Sequence, residues 1–320
     1  MDTVSNGVNS SWIKPKPLTH GQTTNPERVY VFMDQFGTAK KPNLHGYLVM
    51  GSFLKGLEAE KKPNEQLCYD NMTLVQYELD ENQDGTVSHE ESIKAFNTVA
   101  TMKNVAGINV SFGPSIGYSG GCEATIAEIK ADMPPYLPKG HAKEYEASLS
   151  AFQAMVDKHP DNVFLAANNA GNVDYWSLAT GETTVSSPRM VNHQNCQYVN
   201  AFGDNALTYT PQRKGLKLEG VTETQSRNGL TWTIPGMKHL FRKQHLPEGG
   251  TLPGLKRNTP ITEYGNSYAS PWYMGQVNRE HHLTPYGDIP PQSARQRRAK
   301  AQPGLPQPKV TTFQDYQNKH

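Results

Sequence analysis

The chain has 320 residues, a formal net charge of +1 and no apolar run of membrane-spanning length. That balance gives no global electrostatic case for nucleic acid or for an anionic membrane surface, and the length suits one large α/β domain with insertions or two smaller ones. Three widely spaced cysteines, Cys68, Cys122 and Cys196, argue against a disulfide framework, and the N-terminus lacks the basic-then-apolar layout of a secretory signal. A soluble protein is expected, with export by another route left open.

Residues 1–28 are rich in Ser, Asn, Thr, Lys and Pro without periodicity and read as an irregular arm. Val29-Tyr30-Val31-Phe32-Met33 is a continuous apolar run, which predicts a strand buried on both faces, and it ends at the acid Asp34. His45-Gly46 then opens a segment with Val49, Phe53 and Leu57 at helical spacing. A second helical pattern from Glu65 to Leu79, carried by Cys68, Met72, Val75 and Leu79, runs into the acidic stretch Asp80 to Glu91. Ile93, Phe96 and Val99 predict a helix beyond it, and Val105 to Ser111 a strand closing on Phe112-Gly113-Pro114. Leu149, Phe152 and Val156 mark an amphipathic helix stopped at His159-Pro160, followed by a buried strand, Val163 to Ala167, that ends in Asn168-Asn169-Ala170-Gly171-Asn172. Further strands are expected at Gln197 to Phe202 and Leu230 to Ile234. From residue 291 the composition turns to Pro, Gln, Lys and Arg, and reads as a solvated basic tail to residue 320.

Strands alternating with helices predict an α/β fold, a doubly wound and mostly parallel sheet with helices on both faces. Ligands of such sheets bind beyond the carboxyl ends of the strands, so Asp34, Ser111 and the Asn168–Asn172 cluster belong on one face. Late in the chain, Gly265-Asn266-Ser267-Tyr268-Ala269-Ser270-Pro271 has the layout of a serine presented at a helix start. The glycine permits close approach, and a proline suits the first turn.

Taken in order, these pieces resemble the subtilisin-like serine proteases, from about Val29 to Gly275. His45-Gly46-Tyr47-Leu48-Val49-Met50-Gly51 is similar to that family's His-Gly-Thr-x-Val-Ala-Gly helix start, and Ser111-Phe112-Gly113 to its substrate-binding strand. Ala166-Ala167-Asn168-Asn169-Ala170-Gly171 resembles the Ala-Ala-Gly-Asn-x-Gly oxyanion segment, and residues 265–271 resemble Gly-Thr-Ser-Met-Ala-Ser-Pro. The resemblance implies a catalytic domain over residues 29–290 that hydrolyses peptide bonds. A serine hydroxyl attacks an amide only with help, so His45 would take the proton of Ser267 and later deliver it to the leaving amine, while Asp34 orients the imidazole. Asn169 and the Ser267 backbone N–H would stabilise the oxyanion, with Asn172 an alternative donor if the loop aligns differently. Ser111, Phe112 and Gly113 would bind the backbone of a protein or peptide substrate.

Asp80 to Glu91 also looks like an EF-hand calcium loop. Oxygen donors fall at the first, third, fifth and twelfth positions (Asp80, Asn82, Asp84, Glu91), glycine stands at the sixth, and Thr86 offers its carbonyl at the seventh. The expectation is an EF-hand-like insertion over residues 65–99 that clamps Ca2+ for structural purposes. Two rival readings stand beside a calcium-stabilised serine endopeptidase: an inactive fold of the same family kept as a calcium-dependent binding module, and a serine esterase using the same triad.

Overall fold

The computed structural model describes residues 27–37, 43–58, 67, 71–117, 126–167, 173–186, 199–200, 206–212, 215–220, 230–232, 261–283 and 309–319. Its strands are β1 (Arg28–Asp34), β2 (Met72–Glu78), β3 (Val105–Val110), β4 (Ser115–Ile116), β5 (Val163–Ala166), β6 (Val173–Asp174), β7 (Thr183–Ser186), β8 (Val199–Asn200), β9 (Ala206–Gln212), β10 (Gly215–Gly220), β11 (Leu230–Trp232), β12 (Ile261–Tyr264) and β13 (Lys309–Thr312). The helices are α1 (Leu44–Glu58), α2 (His89–Val99), α3 (Ile126–Asp132), α4 (Ala142–Lys158), α5 (Asn266–Asn278) and the short α6 (Phe313–Gln317). Seven strands form one sheet in the order β13-β2-β1-β3-β5-β7-β8, and every pairing in it is parallel.

Strand β1 lies inside the sheet between β2 and β3, and its side chains point alternately to the two faces. Val29, Val31 and Met33 point into a large apolar cluster with Ile108, Val110, Val163 and Leu165. Phe96 of α2 and Phe152 and Met155 of α4 cover that cluster. Tyr30 and Phe32 point the other way, onto Phe53 of α1, with ring centroids 4.7 and 5.4 Å apart. Both sides of β1 are therefore dry, which is why its sequence is a run of apolar residues and not an alternation. The α/β expectation holds at this level: a parallel sheet with helices on both faces.

One element differs from the sequence reading. Residues 72–78 form a strand in register with β1, from Arg28↔Met72 to Asp34↔Glu78, and not the second half of a helix. The helical pattern counted Met72, Val75 and Leu79, but Leu74 and Tyr77 are buried as well. Val75 and Tyr77 join the cluster under α2 and α4 while Gln76 reaches Met50 of α1, so both faces of the strand are covered, and such a strand contains apolar residues at every spacing, a helical one included. The Asp80–Glu91 loop thus joins a strand to a helix, and the helix-loop-helix of an EF-hand is not what surrounds it.

Between β8 and α5 the chain adds a second, antiparallel sheet in the order β11-β10-β9-β12, whose last strand leads through Gly265 into α5. Near the other end, part of the stretch expected as a solvated tail joins the main sheet: Lys309–Thr312 pair with β2, and Tyr316 of α6 is buried. Among the described residues, no helix is long and apolar enough to cross a membrane.

Candidate active site

The carboxyl ends of β1 and β3 and the first turns of α1 and α5 converge on one place. Asp34, the last residue of β1, is buried, and its Oδ1 accepts hydrogen bonds from the Gln35 N–H at 2.7 Å and from Nδ1 of His45 at 2.8 Å. His45 is the second residue of α1, and its side chain keeps 21% of its surface exposed. A buried carboxylate bonded to a partly open imidazole favours the tautomer that carries its proton on Nδ1. The Asn43 side chain accepts the His45 N–H at 3.0 Å, which fixes the entry of the helix.

Ser267 is the second residue of α5. So close to the helix start, its N–H has no carbonyl four residues back within the helix to bond, and the helix dipole adds positive character there. The Tyr268 ring stands 5.6 Å from the His45 ring, which puts the imidazole beside the start of α5. The Ser267 hydroxyl donates to the Ser111 carbonyl at 2.9 Å, so in this conformer its proton is directed at that oxygen.

Hydrogen bonds among buried polar groups fasten α5 to the strand ends. Asn266 donates from its side chain to the Ala167 carbonyl at 2.9 Å, Ser270 donates to Asn109 Oδ1 at 2.9 Å, and Asn109 donates to Ser111 Oγ at 2.6 Å. The Ser111 hydroxyl in turn donates to the Ser267 carbonyl at 3.2 Å. Pro271 explains that last bond. It lies inside the helix and not in its first turn, so it cannot donate to the carbonyl four residues earlier, which belongs to Ser267, and Ser111 satisfies that oxygen instead. Ser52 of α1 completes the fastening with a 2.6 Å bond to the Tyr268 carbonyl.

Below the site the two helices meet backbone to backbone. A Cβ on Gly56 would collide with the Trp272 carbonyl, and one on Gly275 with the Phe53 carbonyl, so both positions require glycine for approach and not for turning.

The sequence-predicted residues divide as follows. Asp34 and His45 form one hydrogen-bonded pair and Ser111 and Ser267 another, and the Tyr268 ring, next in the chain to Ser267, stands beside the His45 ring. Asn169 and its alternative Asn172 lie outside the described residues. The Ser111 side chain faces inward, the Phe112 ring packs 5.9 Å from that of Trp176, and the Gly113 backbone lies against the carboxylate of Asp174. That carboxylate is buried, which pushes its pKa up to about 7 against the one backbone hydrogen bond, from Trp176, that lowers it.

The loop from Asp80 to Glu91 curls on its own backbone. Gln83 and Gly85 adopt left-handed conformations, with φ of 61° and 91°. Asp80 accepts from the N–H groups of Asp84 at 3.0 Å and Gly85 at 2.8 Å, while Asp84 accepts from Thr86 at 2.8 Å. Glu91 forms a capping box with Ser88 at the start of α2, a role that the Ser-x-x-Glu spacing announces. Among the described residues, no group of three or more His, Cys, Asp and Glu side chains is gathered as a metal set. The donor chemistry and the two left-handed residues nonetheless suit a hard cation held by oxygen.

Sequence reasoning passed over Glu78, Ser52, Asn109 and Ser270. A polar residue in an apolar helix stretch was a readable signal for Ser52. Glu78 and Asn109 depend on strand register and Ser270 on how α5 docks against β3, and no local pattern carries either. Set beside known proteins, the chain matches no family model, no curated protein and no solved structure.

Proposed function

We propose that the chain is a serine endopeptidase of subtilisin-like mechanism. The observation that carries this reading is the 2.8 Å bond from His45 to buried Asp34, next to the helix start that presents Ser267. In this reading His45 Nε2 takes the Ser267 proton as the hydroxyl turns from the Ser111 carbonyl toward a peptide carbonyl, then gives it to the leaving amine. Asp34 holds the imidazole and stabilises its cation. The Ser267 N–H and the Asn169 side chain stabilise the oxyanion, and Ser111 to Gly113 align the substrate backbone. Asp80, Asn82, Asp84, Thr86 and Glu91 would hold Ca2+, which supplies structural rigidity to the loop and takes no part in the chemistry.

A fluorophosphonate probe tests the proposal. The wild-type chain labels at Ser267, Ser267→Ala does not, and Asp34→Asn labels roughly 10^4-fold more slowly. A wild-type chain that never labels sinks it. That outcome belongs to the second reading, an inactive binding module, which the engagement of the Ser267 hydroxyl by the Ser111 carbonyl favours. Turnover of esters without peptides would assign the site to an esterase.

A further inference from the structure

We propose that Glu78 is a positioning residue for the Asp34–His45 pair, holding by its reach the turn on which the start of α1 is seated. The inference concerns the geometry of the pair, and it rests on the proteolytic reading only where rate is the readout. Glu78 ends β2 directly beside Asp34, and the Leu79 N–H continues the pairing to the Asp34 carbonyl at 3.0 Å. Its Oε2 accepts from two successive backbone donors of the turn after Asp34, Phe36 at 2.8 Å and Gly37 at 2.6 Å. Its Oε1 accepts from the Asp80 N–H at 3.0 Å.

The turn so held carries α1. The Gln35 carbonyl accepts from the Gly46 N–H at 3.2 Å, and the Phe36 carbonyl from the Asn43 N–H at 2.8 Å. The Phe36 ring lies so close to Gly46 that an added Cβ would stand 2.7 Å from it. Glu78, the turn, Gly46 and His45 thus form one unbroken set of contacts, and the carboxylate ties it to the end of β2. A second carboxylate beside buried Asp34 is unfavourable for the fold unless hydrogen bonds offset its partial burial. A strand end that needed only solubility would not place a carboxylate there. One that must collect three converging N–H groups does.

The experiment compares Glu78→Asp, which keeps the charge and loses the reach, with Glu78→Gln, which keeps the reach and an acceptor oxygen. Both are made in the full chain, with melting curves recorded to confirm folding. The first readout is the low-field proton resonance of the His45 Nδ1–H bonded to Asp34, and the second is the fluorophosphonate labelling rate of Ser267 with kcat and KM on a peptide. Glu78→Asp loses or broadens the resonance and drops labelling and kcat roughly 10- to 100-fold with KM unchanged. Glu78→Gln keeps the resonance and most of the rate. The proposal is overturned if Glu78→Asp behaves as wild type, if Glu78→Gln is the more damaged of the two, or if wild type shows no such resonance. A wild type with the resonance but without labelling removes the protease reading, and the resonances of the two variants alone then decide this inference.

Discussion

The two faces of the parallel sheet are held by different forces. On the α2/α4 face Phe96, Phe152 and Trp176 fill the space, with Trp176 edge-on to Phe96 at 4.8 Å and stacked on Phe152 at 5.8 Å. Volume filling dominates this layer, with few directional bonds beside it, such as that from Trp176 Nε1 to Ser148 Oγ at 3.2 Å. On the α1/α5 face two glycines bring backbone against backbone, and directional bonds from Ser52, Asn266 and Ser270 set the position of α5. Apolar packing tolerates small rotations, whereas hydrogen bonds to particular carbonyls do not. The face that presents Ser267 and His45 is the one whose alignment is specified bond by bond.

That contrast predicts opposite responses to small changes. Gly275→Ala adds a single methyl group, yet it drives a Cβ into the Phe53 carbonyl; the variant fails to fold or loses about 4 kcal/mol in urea titration. Phe152→Leu, a larger chemical change on the other face, costs about 1–2 kcal/mol, and Phe152→Ala about 3–5 kcal/mol because it leaves a cavity. If Gly275→Ala melts like wild type while Phe152→Leu unfolds, the assignment of directional and volume-filling faces is reversed.

The sequence made one side of this contrast legible. The apolar run of β1 and the spacings of Phe96, Val99, Phe152 and Val156 disclose the α2/α4 layer, because volume filling leaves its mark on composition. It also placed Asp34, His45, Ser111 and Ser267 at the ends of regular elements, which is where the structure has them. Gly56 and Gly275 look like ordinary helix glycines until the crossing of α1 and α5 is known. Glu78 is one more acid before an acidic loop until β2 is seen beside β1. The antiparallel strands β9 to β12 stayed largely hidden, because their pairing, and not any local alternation, defines them. Met72, Val75 and Leu79 suggested a helix for a related reason: burial on both faces erases the period of a strand.

The latch around Ser267 sharpens the contrast at smaller magnitude. Asn266→Ala removes the donor to the Ala167 carbonyl in a fully buried position, and costs about 1–3 kcal/mol with loss of fluorophosphonate labelling beyond what stability explains. Ser270→Ala leaves Asn109 Oδ1 without that donor, and costs about 1–2 kcal/mol. Equal labelling by folded Asn266→Ala and wild type would show that the bond steadies the helix without aiming the serine.

The smallest effect tests the boundary of the apolar layer, where the segment from Asp174 to Glu182 closes over α4. Glu182 has one carboxyl oxygen buried without a hydrogen-bond partner and the other bonded to Thr184 at 2.8 Å. Burial first, and the neighbouring Asp174 charge in addition, push its pKa up to about 8, above the value of an exposed glutamate. The sign follows from proton binding. Between the unfolded pKa and about 8 the native state holds more protons than the unfolded chain, so stability falls as pH rises through that window and levels off above it. Glu182→Gln keeps the shape and removes the ionisation. It should flatten the stability curve between pH 5 and 9 and stabilise the protein by about 1–2 kcal/mol at the alkaline end, with little change at the acid end. A variant whose curve keeps the wild-type slope would place that slope on Asp174 instead, whose raised pKa acts in the same direction.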